Sequence, residues 1–137
     1  MEIKEQPKLK FGGVDIVKVN FEAYKCAYNQ KKEIKITCKP AVFYSKKKPM
    51  AFKIIMDIDL EAENFFHLII KAIGMFEMNM DISQEIKDSF INANAPAIMF
   101  PYIRSFISTF TANTGRAVEG LIIPPQFFRG KIEEIIE

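Results

Sequence analysis

The sequence predicts an α+β domain: a four-stranded antiparallel sheet followed by a long helix and a shorter C-terminal helix packed on one face. Three observations carry that expectation. Apolar residues at every second position fill the first half of the chain, the period of half-buried strands. Ile98 to Asn113, placed on a helix, spreads Ile98, Met99, Phe100, Tyr102, Ile103, Phe106, Ile107 and Phe110 around half the circumference, against a stripe of roughly 100° on an ordinary surface helix. The length, 137 residues, fits one domain over 1–137, with residues 1–10 loose.

The strands follow in order. Gly12-Gly13 opens the first, in which Val17, Val19, Phe21 and Ala23 alternate with Lys18, Asn20 and Glu22. The apolar phase then shifts to Tyr24, Cys26 and Tyr28, which marks either a bulge or a connection. Ile34, Ile36 and Cys38 alternate with Glu33, Lys35, Thr37 and Lys39 in a second strand. Pro40 either ends it or sits at an edge, and Ala41 to Ser45 either extends it or turns away. After a turn at Lys46 to Pro49, Phe52, Ile54, Met56, Ile58 and Leu60 form the clearest strand. The short Glu61 to Asn64 connection predicts a hairpin with the next strand, Phe65 to Met78. There Phe66, Leu68, Ile70 and Ala72 line one face, and Phe65, Ile69 and Ile73 sit beside His67 and Lys71 on the other. Apolar groups on both faces predict a central strand or one covered by a partner.

Helices come next. Ser83 suits the N-cap of a short helix ending near Asn92, and the Asn-Ala-Asn-Ala-Pro run at 92–96 is expected to break it. Pro101 either fits the first turns of the main helix or kinks it, and Gly115 suits its C-terminal stop. The loop through Leu121, Ile122 and Ile123 is apolar and stiffened by Pro124-Pro125. Gln126 to Ile136 reads as a last helix, weakened at Gly130 by about 1 kcal/mol relative to Ala.

Composition narrows the function classes. The chain is 49% apolar, with 13 Phe, 7 Met and no Trp, an inventory that suits adaptable binding surfaces as well as cores. A formal net charge of +2 is too small to argue for nucleic acid. Lys31-Lys32 and Lys46-Lys47-Lys48 read as solvated turns, without the interleaved aromatics that single-strand binding needs. Cys26 and Cys38 have no metal or redox spacing and are expected as free thiols. The charged N-terminal stretch is not a secretory signal. The longest run without a charge, Ser89 to Ile103, is interrupted by two Asn and two Pro, so no membrane insertion is expected. One histidine, His67, gives no metal site a case. No nucleophile elbow, triad spacing or glycine-rich phosphate loop occurs. The expectation is a cytoplasmic protein that is not an enzyme and needs no cofactor. Its surplus is apolar surface, and such patches mark partner sites.

The stretch from Ala95 to Phe128 also carries a resemblance. Pro96, Ile98, Phe100, Pro101, Tyr102 and Arg104, then Gly115, then Leu121, Ile123, Pro125 and Phe128 fall where SecB export chaperones carry a P-x-I-L-F-P-Y-A-R helix, a glycine, and an apolar loop ending in Pro-x-x-Phe. The chain resembles that family from about Leu9 to its last helix, most strongly over 95–128. The resemblance implies a homotetramer, a dimer of dimers, that holds unfolded preproteins in apolar grooves without ATP and passes them to the SecA motor. It implies a client groove at Ile34, Ile36, Phe43, Leu121, Ile122, Ile123 and Phe128. It places oligomer contacts at Phe66, Leu68, Ile70 and Ala72 in the fourth strand and at Tyr102, Phe106 and Phe110 in the helix. Of the family's acidic SecA contacts, Glu22 matches one; Lys18 and Ile69 stand where two others align, and Gln30 or Lys31 replaces a groove Trp. The alternative is an oligomeric adaptor or a SecB-like chaperone dedicated to one partner such as an antitoxin; a small-ligand or lipid carrier ranks third.

Overall fold

A computed structural model describes residues 6–26, 31–118 and 121, together with the backbone of 133–136. Strands β1 (Leu9–Ala23), β2 (Ile34–Tyr44), β3 (Ala51–Ala62) and β4 (Phe66–Met78) are followed by helices α1 (Gln84–Ser89) and α2 (Ala95–Ala112) and by a short strand β5 (Glu133–Ile136). The sheet order is β1-β4-β3-β2-β5. The first four strands pair antiparallel, and β5 runs parallel to the end of β2. The α+β expectation of four antiparallel strands followed by a long helix is borne out. The end of the expected last helix is not helical: its residues 133–136 form β5, pairing with Ala41–Tyr44 on the otherwise open side of β2. Residues 122–132 lie outside the described residues.

Strand pairing sorts the side chains onto two faces. On the face toward α2, Phe52, Ile54, Met56, Ile58, Leu60 and Ala62 of β3 lie opposite Phe76, Gly74, Ala72, Ile70, Leu68 and Phe66 of β4, and the apolar side chains of both rows are at most 3% exposed. Each large apolar side chain buried this way stabilises by about 1.5–3 kcal/mol. The opposite face mixes Ile55, Ile69 and Ile73 with charged groups, among them Asp57 and Lys71 in an ion pair of 3.8 Å. With β1 on one side and β3 on the other, β4 is a central strand, the first of the two readings its composition allowed.

Two local expectations are corrected, and the alternative left open at Pro40 is decided. Gly12-Gly13 lies inside β1, not at its start, at a register shift between Phe11 and Val14. Gly13 takes a φ of 108°, a conformation that suits glycine. β2 runs straight through Pro40, whose partner on β3 is Met56; β5 begins only at Ala41, so a missing N–H is tolerated there. The 92–96 run does not break the helix. Ser83 caps α1, its hydroxyl accepting from the Ile86 N–H at 3.3 Å. The chain then continues through a wide π-helical turn, Phe90–Asn94, into α2. A proline ring normally clashes with the carbonyl four residues back; widening the turn just before Pro96 relieves that clash and keeps the helix continuous. Pro101, exposed, is accommodated within α2.

α2 lies across β1 and β4. Its buried residues are Ala95, Pro96, Met99, Phe100, Ile103, Ile107 and Thr111. The contact is closest at Gly74 of β4, where an added Cβ would stand 2.6 Å from Met99 Sδ and 2.9 Å from Met99 Cγ and Cε. Gly74→Ala is expected to cost about 1–3 kcal/mol by overpacking, read from the urea midpoint. In a Met99→Ala background the same substitution should cost at least about 1 kcal/mol less, because the clash is with that side chain; equal costs in both backgrounds would rule out Met99 as its cause.

Candidate functional site

Among the described residues, two places on the surface gather several apolar side chains. The first is the side of α2 beyond its contact with the sheet. Tyr102 is 54% exposed, and Phe106 and Phe110 are half-buried. Their rings continue onto β1: Tyr102 lies 5.3 Å from Phe11, Phe110 meets Phe21 edge-on at 5.4 Å, and Phe106 stacks on Phe110 at 5.8 Å. Such aromatic pairs add about 0.5–1.5 kcal/mol beyond area burial. β1 is the edge of the described sheet, and Val17 and Val19 are exposed along it.

The second place is a cavity of about 580 Å³ at the end of the sheet where β2 turns into β3. Phe43, Lys53, Met75, Glu77 and Lys10 line it from the face away from α2, and Tyr44, Phe52, Phe76 and Lys48 complete it. Lys53 Nζ sits 5.6 Å from the centre of the Phe43 ring. The size is ordinary for a ligand site.

These placements rearrange the predicted residues. Ile34 and Ile36 are half-buried on the α2 face, opposite Ala62 and Leu60. Phe43, an odd number of residues further along the same unbroken strand, points to the other face. The three therefore do not line one groove. Leu121 is only 8% exposed and packs in the core. Ile122, Ile123 and Phe128 lie outside the described residues. Phe66, Leu68, Ile70 and Ala72 are each 0% exposed within a single chain, so a partner chain cannot touch them; their alternation marks the core face of β4, and an assembly contact is corrected to a core role. Tyr102, Phe106 and Phe110 keep accessible surface.

Sequence reasoning missed the device that fixes Leu121. The buried Thr111 hydroxyl donates to the Ile107 carbonyl at 2.7 Å and accepts the Leu121 N–H at 3.0 Å. Ser108 donates to the Leu121 carbonyl at 2.9 Å. Two hydroxyls of one helix turn thus hold both backbone groups of Leu121. Small polar residues on an otherwise apolar helix were the available signal.

The outer sheet face gathers acids. Glu22 on β1, exposed, stands opposite His67 on β4, which stands opposite Glu61 on β3. Asp59 Oδ1 lies 2.8 Å from His67 Nε2. Asp59, Glu61 and His67 bring one donor atom each within 4.8 Å of one another, a set that suits a divalent transition ion. The direct His67–Asp59 contact already accounts for the grouping.

Both cysteines are free. Cys26 is exposed and its thiol donates to the Arg116 carbonyl at 3.3 Å. Burial, with a smaller contribution from Asp57, pushes the Cys38 thiol up to about 12. Because the thiolate is the reactive form, Cys38 stays protonated well above neutral pH. No helix among the described residues is long and apolar enough to cross a membrane.

Thr111→Val keeps the shape but strands the buried Leu121 N–H, and should cost about 1–3 kcal/mol in urea unfolding; Thr111→Ser should cost much less, and equal losses would refute the hydrogen-bond role. At pH 8 the native protein should show one fast thiol toward a thiol-reactive dye, and Cys26→Ser should abolish that phase. A fast phase surviving in Cys26→Ser would contradict the burial of Cys38.

Known proteins share both the sequence pattern and this geometry. A family model described as preprotein translocase subunit SecB matches residues 4–125. An uncharacterised protein of Methanocaldococcus jannaschii is 27% identical over 143 aligned positions, covering 100% of this chain and 90% of that protein. A Mycobacterium tuberculosis SecB-like chaperone, solved in complex with a ChAD peptide from the HigA1 antitoxin, superposes with a TM-score of 0.70 at 13% identity, covering 87% of this chain and 88% of that one.

Proposed function

The chain belongs to the SecB family, and from that premise we propose that it is an ATP-independent holdase that keeps polypeptides unfolded by covering their apolar segments. One observation carries the reading: among the described residues an open cavity of about 580 Å³ has Phe43 and Met75 as accessible apolar walls over the core rings Tyr44, Phe52 and Phe76. Clients bind there and along the apolar stretch of sequence that begins at Leu121, with Ile122, Ile123 and Phe128 as further contacts. Affinity comes from apolar burial at about 25 cal/mol per Å², and the exposed edge of β1 supplies backbone pairing that is indifferent to sequence. Neither step needs a cofactor or a catalysed reaction. The protein works in the cytoplasm, without entering the membrane and without nucleic acid.

Assembly is part of the same proposal. Tyr102, Phe106 and Phe110 meet the same row of another copy, and the chain works as a homotetramer, a dimer of dimers. Any delivery to SecA uses the outer sheet face, where Glu22 is exposed. A dedicated chaperone for one partner is the second reading, favoured by the antitoxin peptide bound to the M. tuberculosis neighbour.

In the test, a chemically unfolded client is diluted into buffer without ATP, and its aggregation is followed by light scattering. Near-complete suppression at stoichiometric amounts is expected; unchanged aggregation at a severalfold excess would refute the holdase. Suppression confined to one client among many would favour the dedicated reading. For assembly, sedimentation should give four times the mass of the 15.8 kDa chain. Phe106→Asp should lower that mass, because it buries an unpaired charge at the seam; a wild-type monomer at micromolar concentration would remove the assembly role of α2.

A further inference from the structure

The cavity beside Phe43 has a charge pattern as well as an apolar floor. Among the described residues three lysines line it, Lys10, Lys48 and Lys53, against one carboxylate, Glu77. Lys10 and Glu77 stand opposite each other across β1 and β4, which leaves Lys48 and Lys53 without a carboxylate of their own in the described lining. Among the described residues none of these four side chains takes part in an ion pair. Lys48 belongs to the Lys46–Lys48 run, which the sequence alone presents as a solvated turn; the fold sets one of its members in the lining of this cavity.

The apolar part is held stiffly. Phe52 stacks on Phe76 at 5.4 Å, with Tyr44 next to Phe52 at 6.1 Å and Phe11 next to Phe76 at 5.5 Å. Behind Met75, Gly12 approaches so closely that a Cβ there would lie 3.2 Å from the Met75 Cβ. The floor is therefore a packed aromatic row, while Met75, 44% exposed, and Phe43 supply adjustable walls.

Resting on the holdase reading, we infer that this cavity selects polypeptide segments in which an apolar side chain is flanked by aspartate or glutamate. The apolar side chain settles over Phe43 and Met75, along the stem of Lys53, which stands between them on β3. The flanking carboxylates meet the ammonium groups of Lys48 and Lys53, which, placed against a low-dielectric wall, attract anions more strongly than in open water. A segment flanked by lysines meets repulsion at the same points, which is how a site that accepts many apolar sequences still discriminates.

The test uses the full chain and two fluorescein-labelled nonapeptides with the same central Leu-Phe-Leu, one flanked by aspartates and the other by lysines, read by fluorescence anisotropy. The aspartate-flanked peptide should bind at least about tenfold more tightly, a difference of about 1.4 kcal/mol. The preference should shrink between about 0.1 M and 1 M salt, as the screening length falls from roughly 10 to 3 Å. Lys48→Glu/Lys53→Glu should abolish or invert it, and Lys48→Gln, a milder change on a surface turn, should reduce it. Equal affinities, or a preference unchanged in both variants, overturns the inference. Dodecanoate bound tightly with neither peptide bound also overturns it, in favour of a lipid-like carboxylate. If the peptides fail while aggregation of an unfolded client is still suppressed, only this assignment falls; if suppression fails as well, the holdase reading falls with it.

Discussion

The structure depends on one close approach, the seating of Met99 of α2 over Gly74 of β4. α2 packs on β1 and β4, and at Gly74 it lies close because that strand residue has no side chain. With Met99, Ile103 and Ile107 settled at 0% exposure, the α2-facing rows of β3 and β4 are sealed within one chain. That seal makes Phe66, Leu68, Ile70 and Ala72 interior residues, and it turns the rest of α2 outward. Among the described residues the aromatic row Tyr102, Phe106, Phe110 keeps accessible surface. In a domain this small, such surface is normally matched by a partner.

The second consequence is a division between the faces of the sheet. One face is given over to the core. The other carries ion pairs, a histidine held by Asp59, and at one end a lysine-rimmed apolar opening. Because β3 and β4 are both interior strands and pair with each other without a register shift, the groups they present, Lys53 and Met75 among them, stand on a stiff base. The adaptable contributions to binding are the long side chains themselves. A holdase needs that combination: a fixed apolar floor that is not reorganised by each client, under side chains soft enough to fit many.

Much of this was legible from spacing. The period of two located all four antiparallel strands, and the half-circumference apolar surface of 98–113 identified the helix whose far side stays exposed. The motif at 96–128 pointed to the family before any coordinate. What spacing could not give was parity across an interruption. Pro40 left open whether β2 continued, and only an unbroken strand puts Phe43 on the opposite face from Ile34 and Ile36. Nor could a one-dimensional pattern separate a core row from an assembly row in β4, since both read as alternate apolar residues; burial decides that. The Asn-Pro run looked like a break because a widened helical turn has no sequence signature as plain as a cap. The hold on Leu121 depends on Thr111 and Ser108, whose hydroxyls gain meaning only when a distant segment returns to them. Lys48 acquired its place in the same way, through the turn that brings it into one cavity lining with Phe43.

The central claim is that this chain recognises the unfolded state of other polypeptides through apolar surface that its own fold leaves open. Isothermal titration of the intact protein with a polypeptide held permanently unfolded, and separately with the same polypeptide folded, tests it most directly. Binding of the unfolded form alone is expected, with the negative heat-capacity change that apolar burial produces. Equal binding of both forms, or of neither, would contradict it.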